Sequence, residues 1–212
     1  MKRFLLLLGL SAFFTASWAQ RPYFCITEGT VLEYENYGLT GNVDGYVRMH
    51  IQNVQGADGN YSVSYVITPY SPDRTPSFDP MEMKVAIANG NISATFGSIA
   101  LMEVSGDVPF IPSRLAVGLD LGGGLMKISA LGLNFNSEVL SHKVVGREEL
   151  STPAGTFKCY IVEMTSETRV LMQKSVTTTR NWYARGVGVV KSETMDNKGD
   201  ITNSQLLIKL ED

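Results

Sequence analysis

Residues 46–54 read YVRMHIQNV. The apolar residues Val47, Met49 and Ile51 are each followed by a polar one, so hydrophobicity alternates with a period of two. Successive side chains of an extended strand point to opposite faces, and this period therefore gives one apolar face and one polar face. The segment is predicted to be a β-strand that buries one face and exposes the other.

The same period recurs along the chain in segments rich in Val, Ile, Tyr, Thr and Phe, with turn residues between them. About ten strands are predicted, at residues 31–37, 46–54, 61–68, 81–88, 92–96, 139–149, 155–165, 168–183, 187–195 and 201–210. Short connections favour antiparallel neighbours, and this many strands do not fit one flat sheet. The sequence therefore predicts an all-β fold, either a single strongly curved antiparallel sheet or a half-open β-barrel.

Glycine and proline interrupt the alternation in residues 97–136, with Gly106, Pro109, Pro112 and Gly122 among them. Such interruptions favour loops and one or two short strands over long regular elements. We expect this part of the chain to be a long irregular connection packed on the core, or alternatively loops or a short helix that cover one end of the sheet.

The first residues have the pattern of a secretory signal peptide. Lys2 and Arg3 precede an apolar run at residues 4–14, and small residues follow it. This run is shorter than the roughly 20 residues that a helix needs to cross a bilayer. We therefore expect a cleaved leader at residues 1–19, one β-barrel-like domain at residues 20–212, and no transmembrane anchor in the mature chain.

Charge and export limit the partners. The full chain has 18 Lys plus Arg and 21 Asp plus Glu, a net charge of −3, and loss of the two leader cations makes it −5. Binding to nucleic acid needs an excess of basic residues, so nucleic acid is excluded as a partner. The expected location is the periplasm, the periphery of the outer membrane or the outside of the cell.

The chain has two cysteines, Cys25 and Cys159, and both remain after the predicted cleavage. An exported protein meets an oxidising compartment, which allows these residues to form a disulfide. Two inert buried thiols are an equally good interpretation. A reactive thiol is less favoured because neither residue has a CxxC partner or a neighbouring histidine in the sequence.

Motifs of catalysis and metal binding are missing from the sequence. It lacks a GxSxG elbow, an HExxH pair, a phosphate-binding GxxxxGK[ST] loop and a CxxC pair. The two histidines, His50 and His142, are expected at solvent-facing strand positions. No catalytic residue, metal site or cofactor is predicted.

Five segments resemble one known family. They are residues 29–34, 111–118, 144–149, 152–160 and 182–193, which read GTVLEY, IPSRLAVG, VVGREE, TPAGTFKCY and WYARGVGVVKSE. This pattern is similar to that of the TapB-like exported proteins of Gram-negative bacteria. Those proteins are related to domain-of-unknown-function families with a curved sheet like that of lipoprotein carriers. The resemblance implies such a sheet and an exported protein, and it implies no catalytic residues.

A binding module for a hydrophobic ligand, such as a lipid or an acyl chain, is the first functional hypothesis. Curved sheets often enclose cavities, and flexible apolar side chains adapt to irregular ligands. The candidate lining residues are Met81, Met83, Met102, Leu121, Leu125, Met126 and Trp182. The alternative is a structural or accessory protein that binds an envelope protein through strand edges or loops. A hydrolase without a recognisable motif is a distant third.

Overall fold

The fold is all-β, as predicted. The computed structural model describes residues 21–93, 102–107, 109–130, 133–170 and 173–212. In these ranges the regular elements are all strands. None of these residues belongs to a helix long and apolar enough to span a membrane. The predicted leader, residues 1–19, lies outside the described ranges.

Thirteen strands are present in the described residues. They are β1 (Val31–Tyr37), β2 (Val43–Ala57), β3 (Asn60–Tyr70), β4 (Met81–Ala88), β5 (Asn91–Ser93), β6 (Met102–Gly106), β7 (Phe110–Ile111), β8 (Gly124–Ala130), β9 (Leu133–Thr152), β10 (Gly155–Val170), β11 (Gln173–Ala184), β12 (Gly188–Met195) and β13 (Ile201–Glu211). The count exceeds the predicted ten because β6, β7 and β8 lie in the glycine-rich and proline-rich part of the chain, where alternation is too short to identify them.

The strands form one antiparallel sheet in the order β6-β8-β9-β10-β11-β12-β13-β1-β2-β3-β4-β5-β7. Strands β1 and β13 are therefore neighbours although they lie far apart in the sequence. Beside this pair, Thr30 Oγ1 donates to Asp212 Oδ1 at 2.8 Å. Strands β6 and β7 are the two edges of the sheet, which does not close into a barrel.

The sheet is strongly curved. Its two edges are consecutive in the sequence, because β6 ends at Gly106 and β7 begins at Phe110. Four peptide units join these residues, so their Cα atoms lie within about 15 Å of each other. Opposite edges of a flat thirteen-stranded sheet would be several times farther apart, since neighbouring strands are about 4.8 Å apart. The sheet must therefore curl until its edges come close together.

The segment before β1 fills part of the concave side. Tyr23 is 1% exposed and meets the ring of Tyr160 edge-on, with the ring centroids 6.1 Å apart. The neighbouring Phe24 packs against Tyr65 with centroids 5.6 Å apart. Tyr160 is on β10 and Tyr65 is on β3, so this segment connects the two halves of the sheet.

The predicted strand at residues 168–183 is wrong at its beginning. Thr168 belongs to β10 and pairs with Ser137 of β9, and β11 starts only at Gln173. Serine, threonine and charged residues fill this part of both strands without a glycine or proline to indicate a turn. The position of the turn between β10 and β11 therefore could not be predicted from the residue types.

Candidate functional site

A cavity of about 520 Å³ lies between the two halves of the curved sheet. This volume falls in the range of small-molecule sites, about 300–1,000 Å³. Strands from both halves line it, and most of the wall is apolar. Four methionines contribute to the wall: Met49, Met83, Met126 and Met164.

Alternation along the strands positions these apolar side chains. Val47 and Met49 of β2 line the cavity, and so do Met83 and Val85 of β4. Each pair is two residues apart, so its members share the concave face. The sequence identified the apolar face of residues 46–54 but did not include Met49 among the lining candidates. Met164 of β10 was not among the candidates either.

Tyrosines form the more rigid part of the wall. The Tyr34 hydroxyl donates to the Val189 carbonyl at 3.0 Å, and burial raises the pKa of Tyr34 well above its ordinary value. Burial also raises the pKa of Tyr65, and it raises the pKa of Tyr183 to about 12. These side chains are therefore uncharged at physiological pH, and they give the cavity a neutral wall.

His142 is a polar residue of the cavity wall, and its predicted position was wrong. It is only 5% exposed and lines the cavity, so the expectation of a solvent-facing position is wrong. The cause is a β-bulge in β9, where Thr165 pairs with Ser141 but Ser166 pairs with Val139. The extra residue, Leu140, is 50% exposed. A bulge shifts the alternation by one residue, and His142 therefore points inward.

The surroundings of His142 favour the neutral imidazole. Burial lowers the pKa of His142, and the negative charge of Asp120 opposes this shift to a smaller extent. The loop before β8 holds the backbone here, because the Leu121 amide donates to the His142 carbonyl at 2.7 Å. A neutral imidazole keeps one donor nitrogen and one acceptor nitrogen.

Acid is expected to destabilise the protein through His142. Because the folded-state pKa lies below the ordinary 6.5, the unfolded chain binds a proton that the folded chain does not. Stability is therefore lost as the pH falls below that value, by no more than about 1.4 kcal/mol per pH unit. Urea unfolding at pH ~7.5 and ~5.5 would measure this loss.

The matched variants are His142→Gln and His50→Gln. His142→Gln is expected to reduce the pH dependence of the unfolding free energy. His50→Gln is expected to keep the pH dependence that His142 contributes. Equal pH dependence in the wild-type protein and His142→Gln would show that His142 does not carry the effect.

The structure brings two of the predicted lining residues into the cavity. Met83 and Met126 line it, whereas Met81 on the same strand as Met83 does not. Leu125 is 43% exposed and also lies outside the lining. Leu121 borders a smaller cavity of about 390 Å³ near the edge of the sheet. The candidates were chosen by residue type, and type does not report the face of the strand.

Trp182 is buried outside this cavity. Its indole Nε1 donates to the carboxylate of Glu148, and the ammonium of Lys191 lies 4.6 Å from the ring centroid. The adjacent Tyr183 lines the cavity instead, so these two residues point to opposite faces, as the strand pattern predicts. The side chain of the remaining candidate, Met102, lies outside what the structure describes.

Both cysteines are free, buried thiols in this structure. Burial, with a smaller contribution from the charge of Glu148, raises the pKa of Cys159 to about 11. A thiol with this pKa is protonated at physiological pH and is a poor nucleophile. The structure therefore has the second of the two arrangements left open by the sequence. The described residues also contain no cluster of His, Cys, Asp and Glu that could hold a metal ion.

Comparison with known proteins gives a family and a fold. Residues 27–207 match the family model described as DUF3108-like. The chain is similar to a Bacteroides fragilis protein described as "a putative exported protein with YmcC-like fold", with a TM-score of 0.74 and 19% identity over 91% of this chain and 100% of that one. It is also similar to "a putative lipoprotein" from Parabacteroides distasonis, with a TM-score of 0.75 and 20% identity over 91% of this chain and 99% of that one. At these identities the likeness shows the fold alone. No curated protein matches the sequence significantly.

Proposed function

Because this chain belongs to the DUF3108-like family and encloses an apolar cavity, we propose that it is a binding protein for a hydrophobic ligand such as a lipid or an acyl chain. The observation that carries the proposal is the cavity of about 520 Å³ with its methionines and neutral tyrosines. Methionine is unbranched and polarisable, and it packs against apolar ligands of irregular shape. Neither the described lining nor the comparisons point to catalysis.

The proposed place of action is the cell envelope. The leader-like sequence at residues 1–19 supports export. The descriptions of the two solved relatives, one as an exported protein and one as a lipoprotein, support it as well. We also propose that the protein is related to the TapB-like exported proteins. The intact mass of the purified protein would test export, because removal of the leader leaves a chain that starts at Gln20.

Native mass spectrometry followed by organic extraction tests ligand binding. The protein is purified gently from cells and its mass is compared with that of the mature chain. An added mass that extracts as a hydrophobic compound would support the proposal. A protein that carries no added mass and also fails to bind a fluorescent apolar probe, N-phenyl-1-naphthylamine, would contradict it.

Filling the cavity is expected to weaken binding of the probe. Met126→Trp introduces a bulky ring into the lining, and we expect affinity for the naphthylamine probe to fall about tenfold or more, at least 1.4 kcal/mol. Leu125→Trp is the matched control, because Leu125 is the adjacent residue and is exposed. Probe titration with both variants, together with thermal unfolding to verify the fold, measures the effect. Equal affinity in both would place the probe elsewhere.

A second candidate function, an envelope interaction protein, is favoured by exposed apolar side chains at one end of the sheet. Leu39 is 75% exposed, Phe78 is 73% exposed and Ile201 is 48% exposed. They lie on the β1–β2 turn, on the β3–β4 loop and at the start of β13, on neighbouring strands. Neighbouring exposed apolar groups are a feature of protein contacts. Crosslinking in intact cells would reveal a stoichiometric partner, and loss of that crosslink in Phe78→Asp would assign it to this end.

A further inference from the structure

The polar groups of the cavity are few. Beyond the tyrosine hydroxyls, the neutral polar side chains in the lining are His142, Asn181 and Gln205. His142 is on β9 and lies across from Met164 of β10, and Asn181 of β11 lies across from Val162 of the same strand. The facing wall from β2 and β4 is apolar, with Val47, Met49 and Met83. The polar groups His142 and Asn181 therefore lie on strands next to those that carry Met164 and Met126, whereas β2 contributes only apolar side chains to the wall.

Hydrogen bonds within the protein already use some of these polar groups. Gln205 Nε2 donates to Asn36 Oδ1 at 2.9 Å, and the Tyr34 hydroxyl donates to Val189. Within the described part of the chain, the side chain of His142 has no hydrogen-bond partner although it is 5% exposed. The Tyr23 hydroxyl is the one fully buried side-chain polar atom without a partner among the described residues, so the ring nitrogens of His142 are accessible at the cavity wall and are available to hydrogen-bond a ligand.

Charge limits the class of that group. Lys84 is the one charged residue among the described residues that line the cavity. It is exposed and alternates with the more buried Met83 and Val85, so its side chain can reach solvent. Apart from Lys84, an ionised carboxylate or phosphate in the cavity would meet no positively charged side chain among the described lining residues. Burial of such an unpaired ion costs several kcal/mol.

We propose that the cavity binds an uncharged amphiphile, such as a fatty alcohol or a monoacylglycerol, whose hydroxyl group is hydrogen-bonded by His142. This inference rests on the proposed ligand-binding function and adds the ligand class and a recognition residue. The hydroxyl of such a ligand lies beside His142 on β9, and its alkyl chain lies against the apolar wall that includes Val47 and Met49 of β2. A neutral imidazole satisfies a hydroxyl group either as donor or as acceptor.

The test is competition for the naphthylamine probe by two ligands of equal chain length, 1-dodecanol and laurate, at a pH where laurate is ionised. We expect dodecanol to displace the probe at a concentration about tenfold or more below that of laurate, because laurate brings an unpaired charge. His142→Leu is expected to weaken dodecanol about twofold to tenfold, the effect of one neutral hydrogen bond, and to leave laurate unchanged.

Two further variants keep this test decisive. His142→Gln retains a donor and an acceptor, so it is expected to keep much of the wild-type affinity for dodecanol. It tests the role of the hydrogen bond even where His142→Leu folds poorly. His50→Leu, outside the cavity, is expected to bind like the wild-type protein.

The outcomes separate the two proposals. If the wild-type protein does not bind the probe or either ligand, the ligand-binding function itself is contradicted. If the probe binds but laurate competes as well as dodecanol, the uncharged class is wrong and the ligand-binding function stands. If His142→Leu and His142→Gln bind dodecanol as the wild-type protein does, His142 is not the recognition residue.

Discussion

Tyr23→Ala is expected to lower the free energy of unfolding by about 3–5 kcal/mol, the loss found when a buried aromatic side chain is removed. Tyr23 is almost fully buried, meets Tyr160 edge-on, and has the guanidinium of Arg185 4.4 Å above its ring centroid. Arg185 in turn donates to the carbonyls of Arg21 and Ser113. Removal of the ring therefore loosens contacts in both halves of the curved sheet, and urea unfolding would measure the loss.

The matched variant Tyr23→Phe is expected to be at least as stable as the wild-type protein. Among the described residues, the Tyr23 hydroxyl is buried and faces the Leu115 backbone without a hydrogen bond of normal geometry. A buried polar group without a partner costs stability, so its removal has no penalty. Tyr34→Phe removes a hydroxyl that does donate to Val189, and it should lose about 0.5–1.5 kcal/mol. A loss in Tyr23→Phe as large as that in Tyr34→Phe would contradict this account.

Leu207→Ala is expected to lower the free energy of unfolding by about 2–5 kcal/mol. Leu207 is fully buried and pairs with Tyr34, where the last strand meets the first. The small side chain leaves a cavity at this junction, and the surrounding sheet relaxes only in part. Leu39→Ala is the matched control, because Leu39 is 75% exposed and its change should stay below about 0.5 kcal/mol. Similar losses in the two variants would show that this junction is not part of the tightly packed core.

The strands of the first half of the chain were the most predictable part of the fold. The predicted bounds of β1 and β4 agree with the structure, because alternation is regular there and turn residues end each strand. The edge strands β6 and β7 were less accessible to prediction. They contain five and two residues, and so few positions cannot establish a period of two.

The apolar character of the candidate site was predicted from the sequence, but most of its lining residues were not. An apolar cavity in a curved sheet follows from the strand pattern, and Met83 and Met126 are part of it. His142 could not be found because the bulge at Leu140 reverses the alternation between Val139 and His142. A bulge depends on the register between two strands, and one strand's own sequence does not report that register. The exposed Leu140 is the one local indication, since a leucine in a strand is normally placed inward.

The pairing of β1 with β13 affects how the protein must fold in time. Thr30 and Asp212, which are hydrogen-bonded beside this pair, are 182 residues apart in the sequence. At about 5–20 residues per second, a ribosome needs roughly 9–36 s to make the residues between them. Throughout that interval β1 can pair with β2 but not with β13. The nascent chain therefore cannot complete its core until β13 has been made, and this high contact order predicts slow folding.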